Sequence, residues 1–365
     1  MSSHPWYNEQ FPALIWRLQN LGNFGVKIFF CISGFVICRG MLHEKSTTGA
    51  VSMRAFYIRR FFRIIPPLFV YMLAIAALSL SGVIQLPPGA FIKASLFLCN
   101  VGVESCGWFV GHTWSLAYEE QFYLLFPVLF TVFAAAGQRR LIVLLMGLLM
   151  AGSLSMHAAA YHRTAEYAST FVYMLTGCVA ALYWQELQTF LKRMHVVGWT
   201  LLLVVTTLMN SLIALPDPFR HVIEVVFAPL AICAAVLGTP VSVPAIGRFF
   251  LNPVFSYLGK ISFTIYLWQQ LATAPYADAP LYFTFVALSG VLLFSMLSYR
   301  YFELPFINLG RKYSRADNVE TSIHAHKSRL HTLTLQTPSK HLGSYRLPAW
   351  APSPSEPAGR TKETR

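Results

Sequence analysis

The chain has 365 residues, 55% of them hydrophobic and 12% charged, with a mean hydropathy of +0.51. Soluble domains carry about 25% charged residues, and a water-exposed fold cannot hide apolar surface on this scale, so a soluble globule is excluded. The formal net charge of +13 fits basic loops that resist translocation across a membrane better than it fits a nucleic-acid partner.

In chain order, Met1 to Leu21 forms an N-terminal segment without an apolar run able to act as a signal peptide. Spanning helices are then expected near 22–38, 66–86, 112–136, 141–158, 167–186, 196–216, 221–240, 254–274 and 280–299. Runs such as Leu141 to Leu154, Trp199 to Leu215 and Tyr282 to Tyr299 approach the ~20 apolar residues a helix needs to cross a bilayer. Closed barrels would give alternating segments of ~10 residues instead. The expected fold is therefore an all-α polytopic membrane protein with about nine transmembrane helices, its membrane domain covering 22–313. Phe91 to Val103 is apolar but too short to span, which suits an interfacial or re-entrant piece. From 314 to 365 the composition turns to Ser, Thr, Pro, His, Lys and Arg, as in a disordered basic tail. Its His324, His326, His331 and His341 suit a solvated tail better than a metal site.

Charge in alternate loops fixes a direction. One set, from Arg39 through Arg63 to Arg315, holds sixteen Lys and Arg residues, against four (Arg17, Lys93, Arg163 and Arg220) in the other. Positive loops stay inside, so the C-terminus is expected in the cytoplasm and the N-terminus outside. An outside N-terminus without a leader implies either that 22–37 inserts as a reversed anchor or that an upstream helix is missing; the second is favoured. Cys31, Cys38, Cys178 and Cys233 lie in apolar runs as small hydrophobes. Cys99 and Cys106 would pair only if their loop faces an oxidising space, and free thiols are the favoured reading. Metal-ligand spacing is absent from the sequence.

Ionisable groups inside spanning segments are costly and so become functional hypotheses. In HTWSLAYEEQFYLLFP, Glu119 and Glu120 lie in an aromatic and aliphatic helix, and His112 and Ser115 precede Glu119 by seven and four residues, on one helical face. In FYIRRFFRIIPPL, Arg59, Arg60 and Arg63 interleave with aromatics, and Pro66 and Pro67 suit a first helical turn. Arg60 and Arg63 face one side like a phosphate clamp, although the cluster taken alone is better explained by anchoring against anionic lipid. In GNFGVKIFFCISGFVI, Lys27 enters an apolar helix, and Ser33 with Gly34 reads as a notch for close packing. LGKISFTIYLWQQ places Lys260, Ser262, Tyr266 and Gln269 partly on one face, and in SYRYFELPF Glu303 is three residues from a potential partner, Arg300.

Together and in this order, the segments GVKIFFCISGFVI, FYIRRFFRIIPPL, HTWSLAYEEQFYLLFP, LGKISFTIYLWQQ and YRYFELP resemble the acyltransferase 3 family of membrane-bound O-acyltransferases. The resemblance runs from about Gly22 to Pro305. It implies a ten-helix protein that moves an acyl group, often acetyl, onto a sugar hydroxyl of lipopolysaccharide, capsule or exopolysaccharide, a nodulation factor or a macrolide. It also implies an acyl-coenzyme A co-substrate on the cytoplasmic side, with no tightly bound cofactor and no metal. The family's first helix carries an Arg and, about ten residues later, a catalytic His; His4 would be the remnant of that region. Gln269 stands where the family often has His, and a glutamine can only hydrogen-bond.

On that reading, Arg59, Arg60 and Arg63 hold the donor's phosphates. Glu119 with His112 orients or activates the reacting groups, and Trp114, Ser115, Ser262, Tyr266, Gln269 and Glu303 line the pocket. The expected partners are a carbohydrate or lipid-linked glycan acceptor, the acyl donor and membrane lipids of a plasma (inner) membrane. Two rival readings are a proton-coupled transporter, since intramembrane carboxylates also serve proton relays, and a non-catalytic family member. Against the transporter, the sequence shows no internal repeat.

Overall fold

The computed structural model describes residues 12–102, 106–133, 137–193, 198, 219–273 and 281–315. Every regular element among the described residues is helical: α1 (Pro12–Thr48), α2 (Met53–Leu80), α3 (Ala90–Ser95), α4 (Gly107–Gly111), α5 (Thr113–Val132), α6 (Gln138–Ala158), α7 (His162–Leu182) and α8 (Trp184–Leu191). There follow α9 (Phe219–Ser242), α10 (Pro244–Phe250), α11 (Pro253–Ala272) and α12, which begins as Leu281–Ser298 and runs on to 315. Both α9 and α12 contain a π-helical turn, at Ile223–Phe227 and Tyr299–Glu303.

Among the described residues, six helices are long and apolar enough to cross a membrane: those of α1, α2, α6, α7, α9 and α12. The other two long helices, α5 and α11, have 20 residues each, enough to cover about 30 Å, and are more polar because they carry the candidate site. The expected span at 196–216 lies outside the described residues, apart from position 198. Exposed side chains such as Leu144, Leu148, Phe285 and Leu293 give α6 and α12 the apolar outer surface that lipid requires. The fold is an all-α polytopic membrane protein.

Three sequence expectations are corrected. The first helix has 37 residues, well beyond 22–38, because its only proline is Pro12 at the first position and Gly49, at φ 83°, stops it; hydropathy sees just the apolar middle. Pro66 and Pro67 lie inside α2, not in its first turn. The helix starts earlier, where the Ser52 hydroxyl accepts from the Ala55 amide. The prolines bring no N–H for the carbonyls of Phe62 and Arg63, a loss that transmembrane helices tolerate. Finally, Cys99 and Cys106 are joined in a disulfide with a Cα–Cα distance of 5.8 Å. It closes the short non-spanning stretch around α3, which Gln121 ties to the bundle through the Phe97 carbonyl, Asn100 and Tyr167.

The helices meet most closely where α1 crosses α7. A methyl group on Gly34 would lie 1.9 Å from the Met174 carbonyl oxygen, and one on Gly177 would lie 2.1 Å from that of Cys31. Small residues let the backbones touch here, as the notch at Gly34 predicts. The Cys178 thiol fills the seam and donates to the Gly34 carbonyl at 3.3 Å. Lys27 pairs with Glu224 of the α9 π-turn at 3.5 Å. On the other flank, Phe62 of α2 stacks on Phe306 and Tyr313 of α12. This fixes α12 beside the arginines of α2.

Candidate active site

The polar groups inside the bundle form a column along α5. At its lower end, little more than one turn of α2 presents Arg59, Arg60 and Arg63 to a groove of about 290 Å³ shared with Val36, Ile37, Gly40 and Met41 of α1 and Ile307 and Arg311 of α12. Four guanidinium groups line this small space. Glu44 partly balances them: it pairs with Arg59 at 2.9 Å and accepts the Ser52 amide at 2.8 Å. Arg60 lies over the rings of Tyr123, at 4.6 Å, and Phe56, at 5.7 Å, a contact that holds a cation without cancelling its charge.

Tyr123 carries the column upward. Its hydroxyl and that of Ser33 both donate to Glu119 Oε1, at 2.7 and 2.6 Å, and the two hydroxyls stand 2.7 Å apart. Glu119 is 4% exposed, and the charges of Arg60 and Arg63 act on it across the site. A buried carboxylate needs this combination of donors and nearby cations. Glu120 is half-buried, and its Oε1 has no hydrogen-bond partner among the described residues.

One turn above Glu119, Ser115 meets Tyr266 of α11, oxygen to oxygen, at 2.6 Å. The Tyr266 hydroxyl donates to the His112 carbonyl, so Ser115 is the donor in the first contact. His112 ends α4 and starts α5. Its imidazole is enclosed edge-on by Tyr71, at 5.7 Å, and Tyr266, at 5.2 Å. The Tyr71 hydroxyl is turned away to the Phe109 carbonyl. The ring is buried with the Leu267 backbone close enough to act on it as a hydrogen-bonding group, and neither nitrogen makes a hydrogen bond of full geometry among the described residues. Buried imidazole nitrogens are normally satisfied, which makes this ring a candidate contact for a bound group.

The structure brings most of the expected residues together. Arg59, Arg60 and Arg63 share one groove; Glu119, Ser115, Tyr266 and His112 follow in order. Seven residues separate His112 from Glu119, about 10 Å along the helix, so Ser115 and Tyr266 lie between them rather than a direct contact. Trp114 belongs to the aromatic wall, edge-on to Phe30 and Tyr118. Gln269 is half-buried, less than a turn beyond Tyr266. His4 lies outside the described residues.

Two expectations fail. Ser262 is exposed and donates to the Gly259 carbonyl of its own helix at 3.0 Å; the inward polar residue at that level is Thr264. Glu303 does not pair with Arg300 among the described contacts. It is buried and accepts from Thr264 and, at 3.2 Å, from Ser298, with the charge of Arg63 also acting on it. The π-turn at Tyr299–Glu303 adds a residue to one turn and breaks the i, i+3 register on which the Arg300 pairing depended. Ser33, Tyr123, Tyr71 and Thr264 were missed. For Tyr123 a signal existed, because it follows Glu119 by four residues on the same face.

An all-helical membrane bundle with a buried carboxylate, a buried imidazole and an arginine groove along one internal column defines a polytopic membrane protein with a polar interior. The sequence model of the acyltransferase 3 family, described as an acyltransferase domain, matches residues 1–301. The chain belongs to that family. It is similar to a protein of Staphylococcus aureus (strain COL) named as a candidate O-acetyltransferase, with 27% identity over 335 residues, covering 80% of this chain and 54% of the relative. It is also similar to the peptidoglycan O-acetyltransferase OatA of Listeria monocytogenes, with 24% identity over 332 residues, 78% of this chain and 51% of the relative. The O-acetyltransferase OatA of S. aureus (strain NCTC 8325) is 25% identical over 325 residues, with 80% and 53% covered. The chain thus spans about half the length of these curated relatives. No solved structure matches it.

Proposed function

We propose that the chain is a membrane O-acyltransferase that moves an acyl group, acetyl by analogy with its relatives, from an acyl-coenzyme A to a carbohydrate hydroxyl. The observation that carries this reading is the column itself: a cationic groove at one end, a buried imidazole at the other, and Glu119 between them. The arginine groove suits the donor's phosphates, since planar guanidiniums grip phosphate oxygens bidentately. From Tyr123 to His112 the column measures about 16 Å along α5, and the donor's thioester arm extends along it.

In this mechanism His112 takes the proton of the acceptor hydroxyl as its oxygen attacks the thioester carbonyl carbon. The tetrahedral intermediate then collapses, the C–S bond breaks, and the departing thiolate takes up the proton and leaves as the thiol. Glu119, already engaged by Ser33 and Tyr123, positions Arg60 and Tyr123 at the entry to the column. The acceptor is an envelope glycan; the name of the Listeria relative points to peptidoglycan, and the family resemblance includes lipopolysaccharide and exopolysaccharide. The protein resides in the plasma membrane with the arginine groove and the C-terminus on the cytoplasmic face. The Cys99–Cys106 disulfide supports this orientation, because it falls in a loop that the charge bias places outside, where thiols oxidise.

The test is radiolabelled acetyl transfer from acetyl-coenzyme A into the glycan fraction of membranes carrying the chain. Label should appear with the wild type and be lost with His112→Gln. Proton-coupled uptake of a solute without any acyl transfer would favour the transporter instead.

A further inference from the structure

A second basic cavity opens on the other side of α1. At 100° of rotation per residue, Arg39 and Leu42 face away from Val36, Ile37, Gly40 and Met41, which line the arginine groove. Arg39 and Leu42 border a separate space of about 270 Å³, closed by Gln138 and Arg139 at the start of α6, Leu182 at the end of α7 and Trp184 at the start of α8. Gln138, Arg139, Leu182 and Trp184 lie at helix ends, and Arg39 and Leu42 in the last three turns of α1, all on the arginine-rich face. Arg39 sits over the Trp184 ring at 5.7 Å, and Phe35 packs edge-on against the same ring at 5.0 Å. Arg139 sits over Tyr183 at 4.9 Å and pairs with Glu186 at 2.9 Å, with both side chains more than half exposed at 52% and 56%. Such an exposed pair is weak and leaves guanidinium N–H groups for another acceptor.

We infer that this cavity binds the headgroup of an anionic phospholipid. Two guanidiniums held on aromatic faces suit a phosphodiester; the Gln138 amide beside them donates to the Phe130 carbonyl at 2.9 Å. Leu42 and Leu182 supply an apolar wall, and Trp184 is the kind of residue that settles at a membrane interface. The short helix α8 fits the same boundary, with Leu191 buried and Phe190 exposed. Basic pockets between transmembrane helices on the cytoplasmic side are the places where anionic headgroups collect. The lipid would brace the joint between α1, α6 and α8, and this binding does not depend on acyl transfer.

The experiment uses the purified full chain, delipidated in detergent and titrated separately with phosphatidylglycerol, phosphatidylcholine and glycerol phosphate, with occupancy read by native mass spectrometry. Phosphatidylglycerol should bind in preference to phosphatidylcholine. Its affinity should fall about fivefold in Arg39→Gln and about 25-fold in the Arg39→Gln, Arg139→Gln double variant. Arg140→Gln, next in sequence and exposed but outside the cavity, should bind as the wild type does. Melting temperatures in the same detergent check that each variant is folded, and single substitutions carry the test if the double variant is not. Equal binding by the cavity variants would overturn the proposal, and so would an equal loss in Arg140→Gln, which would signify diffuse surface charge. Saturable binding of glycerol phosphate that displaces the lipid would overturn it in favour of a soluble phosphate.

Discussion

Ser33 and Gly34 are neighbours on α1, and they serve two regions of different character. Gly34 faces α7 across a seam where its missing side chain admits the Met174 carbonyl. Ser33 faces α5, where its hydroxyl reaches Glu119 and Tyr123. The seam is apolar and tolerates no added atom. The column is polar, and Glu119, Arg60 and His112 are held by hydroxyls or rings from other helices. One helix thus fixes the spacing of the bundle with one face and the geometry of the site with the next. The difference between the regions is one of consequence: damage to the seam should abolish the fold, whereas damage to the column should abolish chemistry in a folded protein.

The sharpest break comes at the seam. Gly34→Val should cost more than about 3 kcal/mol, because the added atoms meet backbone that cannot move aside; the expected result is loss of monodisperse protein after solubilisation. In the column, His112→Gln should lower acetyl transfer by about a hundredfold or more, the usual contribution of a general base, while the protein accumulates at the wild-type level. Ser33→Ala should fall between these extremes, losing about tenfold in transfer rate with a small change in melting temperature, since it removes hydrogen bonds worth about 1 kcal/mol. Comparing it with Gly34→Val tests directly whether adjacent residues do separate work.

The remaining predictions lie outside both regions. Replacing Cys99 with Ser opens the closed loop beside α3 and should lower stability by about 2 kcal/mol on loop-entropy grounds, measured as a reduced melting temperature that reductant does not lower further. Ser262→Ala should change neither stability nor transfer, because its hydroxyl returns to its own helix.

Much of this was legible in the sequence, and the omissions have physical causes. Apolar runs located the spans, but hydropathy could not show that α1 continues through its polar ends to Thr48. Glu119, His112 and the three arginines were visible because charge in an apolar helix is conspicuous. Ser33 was legible only as a small residue: its partner lies 86 positions away, and no spacing rule reaches that far. Spacing puts Ser262 on a face of α11 with Tyr266, yet the hydroxyl two residues on, Thr264, is the one that meets Glu303. Register rules failed again at Glu303, where a π-turn alters the helix without announcing itself in composition.

The most direct test of the column is to separate donor binding from chemistry at its two ends. Steady-state acetyl transfer from acetyl-coenzyme A would be measured for Arg63→Gln and His112→Gln in matched membranes. The account predicts that Arg63→Gln raises KM for acetyl-coenzyme A with kcat largely kept, and that His112→Gln lowers kcat with KM largely kept. Unchanged kcat in His112→Gln would contradict it, placing the chemistry elsewhere in the bundle.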